Sequence, residues 1–122
     1  RVPAHATANG RVLLSGLSDA QVVELLGATL PTYTHATLAT SEALLEALGQ
    51  VRSDGWAVAV DELEVGLTAV AAPVRSLHGD IVASVSVSGP TFRLSTGPDA
   101  EVVAQVRAAA TEVSRRLGWG EA

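Results

Sequence analysis

The segment from Ile81 to Ser88 alternates apolar and hydroxyl residues, with Ile81, Ala83, Val85 and Val87 on one face of an extended chain and Ser84, Ser86 and Ser88 on the other. A serine hydroxyl donates once and accepts twice, so a row of them can hold a carboxylate or carbonyl in a cavity without filling it. The same alternation also describes the solvated outer face of an antiparallel sheet. Periodicity alone leaves both readings open.

Other chemistry finds less support. A serine hydrolase elbow needs Gly-x-Ser-x-Gly on a strand-to-helix turn, and Val87-Ser88-Gly89-Pro90 lacks it. His5, His35 and His78 are scattered without ligand spacing, which makes loop or surface histidines the simpler reading. The chain has no cysteine, so thiol catalysis, zinc-thiolate sites and disulfides are excluded. Asp61, Glu62 and Glu64 form an acid/base set, an anion-repelling lip or, more commonly, a solvated acidic loop, and the one role worth testing is part of a lid. No glycine-rich phosphate loop opens a helix, and aromatic residues are only 3%, which leaves nucleotide and single-strand readers poorly supported. No residue pattern thus points to an enzyme or calls for a cofactor.

The elements that must position the serines follow from periodicity and caps. A short helix is expected within 6–17, with Val12, Leu13, Leu14 and Leu17 at helical spacing and Gly10 weakening its start. Ser18-Asp19-Ala20-Gln21 has the form of a capping box, and the helix it opens stops at Gly27. Thr40 or Ser41 begins another, with Leu44, Leu45, Leu48 and Val51 toward the core and Gly55 closing it. Trp56 to Val60 reads as a strand, and Ala69 to Arg75 and Ile81 to Ser88 as a hairpin pair, with Pro73 suggesting an edge or a bulge. Gly97-Pro98-Asp99 opens a last helix striped by Val102, Val103, Val106, Ala110, Val113 and Leu117. Mixed helices and antiparallel strands give an α+β fold.

The 122 residues suit one domain, and 48% hydrophobic against 17% charged residues is too apolar for a disordered chain. Thirteen acids outweigh eight bases, all of them arginine, for a net charge of −5, which argues against direct contact with nucleic acid. No apolar run approaches the ~18 residues of a membrane span, and no signal peptide opens the chain, so a cytoplasmic protein without membrane contact is expected. With no methionine and an opening of Arg1-Val2-Pro3, the sequence reads as a fragment.

Several segments, in order and spacing, resemble the C-terminal effector-binding domain of IclR-type transcriptional regulators. Val2 to Arg11 looks like that family's opening segment, and Tyr33 to Leu38 its middle. Gly55-Trp56-Ala57-Val58, Glu64-Val65-Gly66-Leu67, Val70-Ala71-Ala72-Pro73-Val74 and Ser86-Val87-Ser88-Gly89-Pro90 carry the likeness most specifically. The resemblance implies a GAF-like fold, a curved antiparallel sheet flanked by helices, with the domain's N-terminal strands and the upstream winged helix missing, so that 1–122 is a partial effector-binding domain. It also implies a cavity for a small organic effector, held by Ser86 and Ser88, with Ala8 and Asn9 before the first helix and Leu67 as an apolar wall. A cavity cysteine of the family is replaced here by Ala69, and an aspartate by Ala59, which shifts the implied effector from small oxo-acids toward a larger or more apolar molecule.

On this reading the chain binds a small organic acid or aromatic metabolite and modulates DNA binding by the full-length protein. DNA is contacted only through the missing N-terminal domain, and the protein is a homodimer or homotetramer. The alternative is an oligomerisation module with a vestigial GAF-like cavity.

Overall fold

The structure, a computed structural model, describes residues 4–90 and 100–120. After a single 3-10 turn at Ala4–Ala6, Thr7 opens α1 (Ala8–Leu14) by accepting the Gly10 N–H on its hydroxyl at 3.0 Å. That bond satisfies one of the donors every helix start leaves orphaned. The helix is shorter at both ends than 6–17, because the 3-10 turn precedes it and the Ser15 N–H folds back onto the Arg11 and Leu13 carbonyls. Gly10 does more than weaken a helix start: a Cβ there would lie 2.3 Å from the Ala4 carbonyl oxygen. Glycine lets the turn lie directly on α1.

The capping box forms as its sequence requires. Ser18 Oγ accepts from the Gln21 N–H, the Gln21 side chain accepts from the Ser18 N–H, and α2 runs Asp19–Leu26. Thr40 caps α3 (Ser41–Asp54), which ends on Gly55 at φ +81, a left-handed position that costs a glycine little. Leu44 and Leu48 of α3 pack fully buried against Leu14, Val22 and Leu30, forming a helical sub-core beside the sheet.

The sheet is antiparallel in the order β1 (Ala57–Val60), β2 (Leu67–Arg75), β3 (Ile81–Pro90). Its register sets Ala57, Ala71 and Ser86 side by side in one row, and Ala59, Ala69 and Ser88 in the next. One face is therefore paved with alanine and serine. Small side chains let α1 settle closely on it, burying Ala8, Val12, Val51, Ala57, Ala59 and Ala71 in one cluster. The other face carries Val70, Ala72 and Val74, which α4 (Ala100–Arg116) covers with Val106 and Ala110. Each valine buried there contributes about 1.5–3 kcal/mol.

Of the edge or bulge that Pro73 suggests, the structure is nearer the bulge: Pro73 lies on the central strand, beyond Ala71, where pairing with β1 ends, and one residue before a register shift at Val74/Arg75. A missing N–H is tolerated where no ladder needs it. The stripe of α4 also runs out early: Val113 and Leu117 are 41% and 49% exposed, because the buried row continues from Val106 and Ala110 to Ser114. The Gly97-Pro98-Asp99 start signal lies outside the described residues.

Candidate functional site

Where α1 meets the alanine and serine face, the packing leaves an open cavity of about 440 Å³. Six of the seven positions expected at the site, Ala8, Asn9, Leu67, Ala69, Ser86 and Ser88, line it together. They come from α1 and from the start of β2 and the end of β3, a hairpin that follows α1 by more than fifty residues. Leu13 and Leu63 extend the apolar side. Ala59, the seventh, is 5% exposed within the cluster beneath α1 and is not among the lining residues. Its cross-strand partner Ala69 takes the wall position one strand nearer the serines.

Both alternatives for the serine row contain part of the outcome. Ser86 and Ser88 line the cavity and are also exposed, because the cavity opens on their side. Asn9 organises the row: its Nδ2 donates to Ser86 Oγ at 2.8 Å, and its Oδ1 accepts from Ser84 Oγ. With an Asn9 N–H bound to its oxygen, the Ser86 hydroxyl keeps its own proton to donate elsewhere. No charged side chain lines the cavity among the described residues, so a bound carboxylate would be held by neutral donors.

The acidic loop differs from a solvated patch. Asp61 stands at φ 58 and its carboxylate accepts the Gly66 N–H at 2.9 Å, closing the turn into β2. Glu62 turns inward to pair with Arg11, their side chains being 11% and 7% exposed. Arg11 also donates to the Val58 carbonyl at 3.0 Å and the His5 carbonyl at 3.3 Å. Burial pushes its guanidinium down to about 10, which leaves it charged at neutral pH and the pair ionised. The Thr34 and Thr37 hydroxyls donate to the carbonyls of Asp61 and Glu62. This loop carries Leu63 to the cavity wall, so Arg11, Thr34 and Thr37 position a cavity-lining residue indirectly. The sequence carries one signal for this, a lone arginine inside a short apolar helix.

His5 is a further correction. It is 3% exposed, and its Nε2 donates to the Pro31 carbonyl at 2.6 Å, which fixes the tautomer. His35 and His78 are exposed as expected. Among the described residues no group of histidine and acids could hold a metal, and no helix is long and apolar enough to cross a membrane.

Residues 1–115 match the family described as bacterial transcriptional regulator IclR C-terminal. The HTH-type transcriptional regulator XynR of Escherichia coli (strain K12) is 40% identical over 120 residues, 98% of this chain and 48% of the relative. The chain thus spans about half the length of the curated relatives it matches. The crystal structure of the C-terminal domain of the E. coli transcriptional regulator KdgR superposes with a TM-score of 0.88 at 37% identity, covering 98% of this chain and 73% of that one. A double mutant of the PobR transcription factor inducer binding domain from Acinetobacter, in complex with 3-hydroxybenzoic acid, superposes with a TM-score of 0.83 at 31% identity, covering 93% and 66%.

Proposed function

This chain belongs to the bacterial IclR C-terminal family, one of transcriptional regulators and not of enzymes, and we propose that its cavity binds a small organic acid with an apolar or aromatic body. The α+β fold, an antiparallel sheet flanked by helices, is the GAF-like one of that family. The convergence of Asn9, Ser86 and Ser88 with Leu67 and Ala69 on one cavity carries the reading. Its volume falls within the roughly 300–1,000 Å³ of small-molecule sites. Serine hydroxyls supply neutral donors for a carboxylate at one end, while Leu13, Leu63 and Leu67 offer apolar surface for a ring at the other. That a related inducer-binding domain is known with 3-hydroxybenzoic acid supports this ligand class.

In the longer protein the effector would modulate DNA binding by preferring one of two arrangements of the regulator, since a ligand shifts an equilibrium only by its differential affinity for the two states. Calorimetric titration with 3-hydroxybenzoate and with a short oxo-acid tests the site. The aromatic acid should bind more tightly, and replacing both Ser86→Ala and Ser88→Ala should weaken it at least tenfold, since hydrogen bonds to a charged group are worth about 1.5–3 kcal/mol each. Equal affinity in the double variant would remove the serines from the site. A rival reading, an oligomerisation module with a vestigial cavity, expects no acid to bind or to raise the melting temperature.

A further inference from the structure

A second pocket, of about 190 Å³, lies between α4, the end of α3 and the part of β2 that runs past β1. Its polar lining is Arg75, Arg107, Thr111, Ser114 and Trp119, and no aspartate or glutamate lines it among the described residues. That is unusual surface for a chain of net charge −5.

Arg75 is held in place. Its N–H donates to Ser114 Oγ at 2.8 Å, its Nη1 donates to the Gly79 carbonyl at 2.8 Å, and its guanidinium centre lies 5.9 Å from the Trp119 ring centroid. The register shift between Val74 and Arg75 places it at this junction. Nε and Nη2 keep donors with no acceptor among the described residues. Arg107, exposed on α4, makes no hydrogen bond or ion pair among the described residues, and its Nη2 lies 3.5 Å from where a Cβ on Gly55 would stand. Thr111, one turn further along, offers a hydroxyl that is likewise without a partner among the described residues.

The closing turn of α3 at Gly55 brings the negative end of a helix dipole to the rim, worth roughly half a charge. Two full guanidinium charges outweigh it. Asp80 lines an adjoining pocket, not this one.

We propose that this pocket is an anion site, separate from the effector cavity, that takes a phosphate dianion. Two guanidinium groups balance the −1.5 to −2 charge of a phosphate at neutral pH, roughly. A guanidinium fork already oriented by an aromatic ring and a carbonyl loses little freedom on binding an oxyanion. The volume admits one phosphate group with a few waters and is below the roughly 300 Å³ of a site that encloses a whole metabolite. Any organic part of the ligand would therefore project outward.

Titration of the chain with inorganic phosphate, and separately with glycerol phosphate as a monoester, in chloride buffer at matched ionic strength, tests this by calorimetry and by 31P NMR. Saturable binding of one phosphate group is expected, at least tenfold weaker in Arg107→Gln and weaker in Thr111→Val. Arg107 is exposed and partnerless among the described residues, so its replacement leaves the fold intact; unchanged binding of 3-hydroxybenzoate by Arg107→Gln verifies this independently. Saturation by inorganic phosphate alone identifies the free ion as the ligand. Equal or tighter binding of the monoester identifies a phosphorylated metabolite. No saturation by either, or equal affinity in Arg107→Gln, overturns the site.

Discussion

Ala59 and Ala69 face each other across β1 and β2 yet stand in different environments, one beneath α1 and the other on the cavity wall. A larger side chain at each should therefore fail in a different way. Ala59→Leu has no space to enter and is expected to lower stability by about 1–3 kcal/mol in urea unfolding, as overpacking does. Ala69→Leu projects into open volume, so stability should change by less than ~1 kcal/mol while binding of an aromatic acid is lost in calorimetric titration. Loss of binding without loss of stability at both positions would mean that the cavity extends under α1. Asn9 belongs to the same scale: its amide spans Ser84 and Ser86 and so sets which proton Ser86 has to offer.

Among the elements, α1 matters most, because its first turn forms part of the cavity and its underside fills the core. Gly10 holds it against the preceding turn. Gly10→Ala would place a methyl 2.3 Å from the Ala4 oxygen, against backbone that cannot yield as a side chain can. The expected loss is about 1–3 kcal/mol by denaturant titration together with weakened acid binding; a stability gain, as helix propensity alone would give, would contradict the close approach. At the other end of the chain, Glu112 accepts hydrogen bonds from Arg115 and Arg116 on α4. Those bonds hold its carboxyl down at about 2, against an ordinary 4.5. Because the folded value lies below the unfolded one, the contribution is complete above pH 4.5 and disappears as pH falls toward 2. NMR titration should show this carboxyl still ionised at pH 3, and Glu112→Gln should remove its share of the acid-induced fall in melting temperature. At high salt the effect should shrink, since the pairs are exposed.

At the scale of the whole molecule, β3 pairs only with β2 among the described residues, and from Ile81 to Pro90 it carries no charged side chain while exposing Val82 and Val87. A neutral strand edge of that length is a template for pairing with another chain. The 122-residue chain is expected to self-associate with rising concentration in sedimentation velocity, and Val87→Lys to reduce the association. A monomer at every concentration would show that this edge is not used.

Much of the fold was legible because it rests on local physics. The capping box at Ser18, the cap at Thr40, the left-handed Gly55 and the alternation of β3 from Ala83 to Ser88 each depend on residues within a few positions of one another, so spacing revealed them; Ile81, expected on the face of Val85, packs instead with the cluster beneath α1, because the register shifts at Val74/Arg75. Resemblance to a family supplied the candidate residues, and six of them line one cavity. What spacing could not supply was everything decided by contact between distant segments. Arg11 reads as one charge in an apolar helix until Glu62 arrives from 51 residues away to pair with it. Ala59 and Ala69 look equivalent in one dimension, and only the placement of α1 makes one core and the other wall. Arg75 and Arg107 are two scattered bases in an acidic chain, and the packing of α4 on the sheet is what brings them to a single pocket.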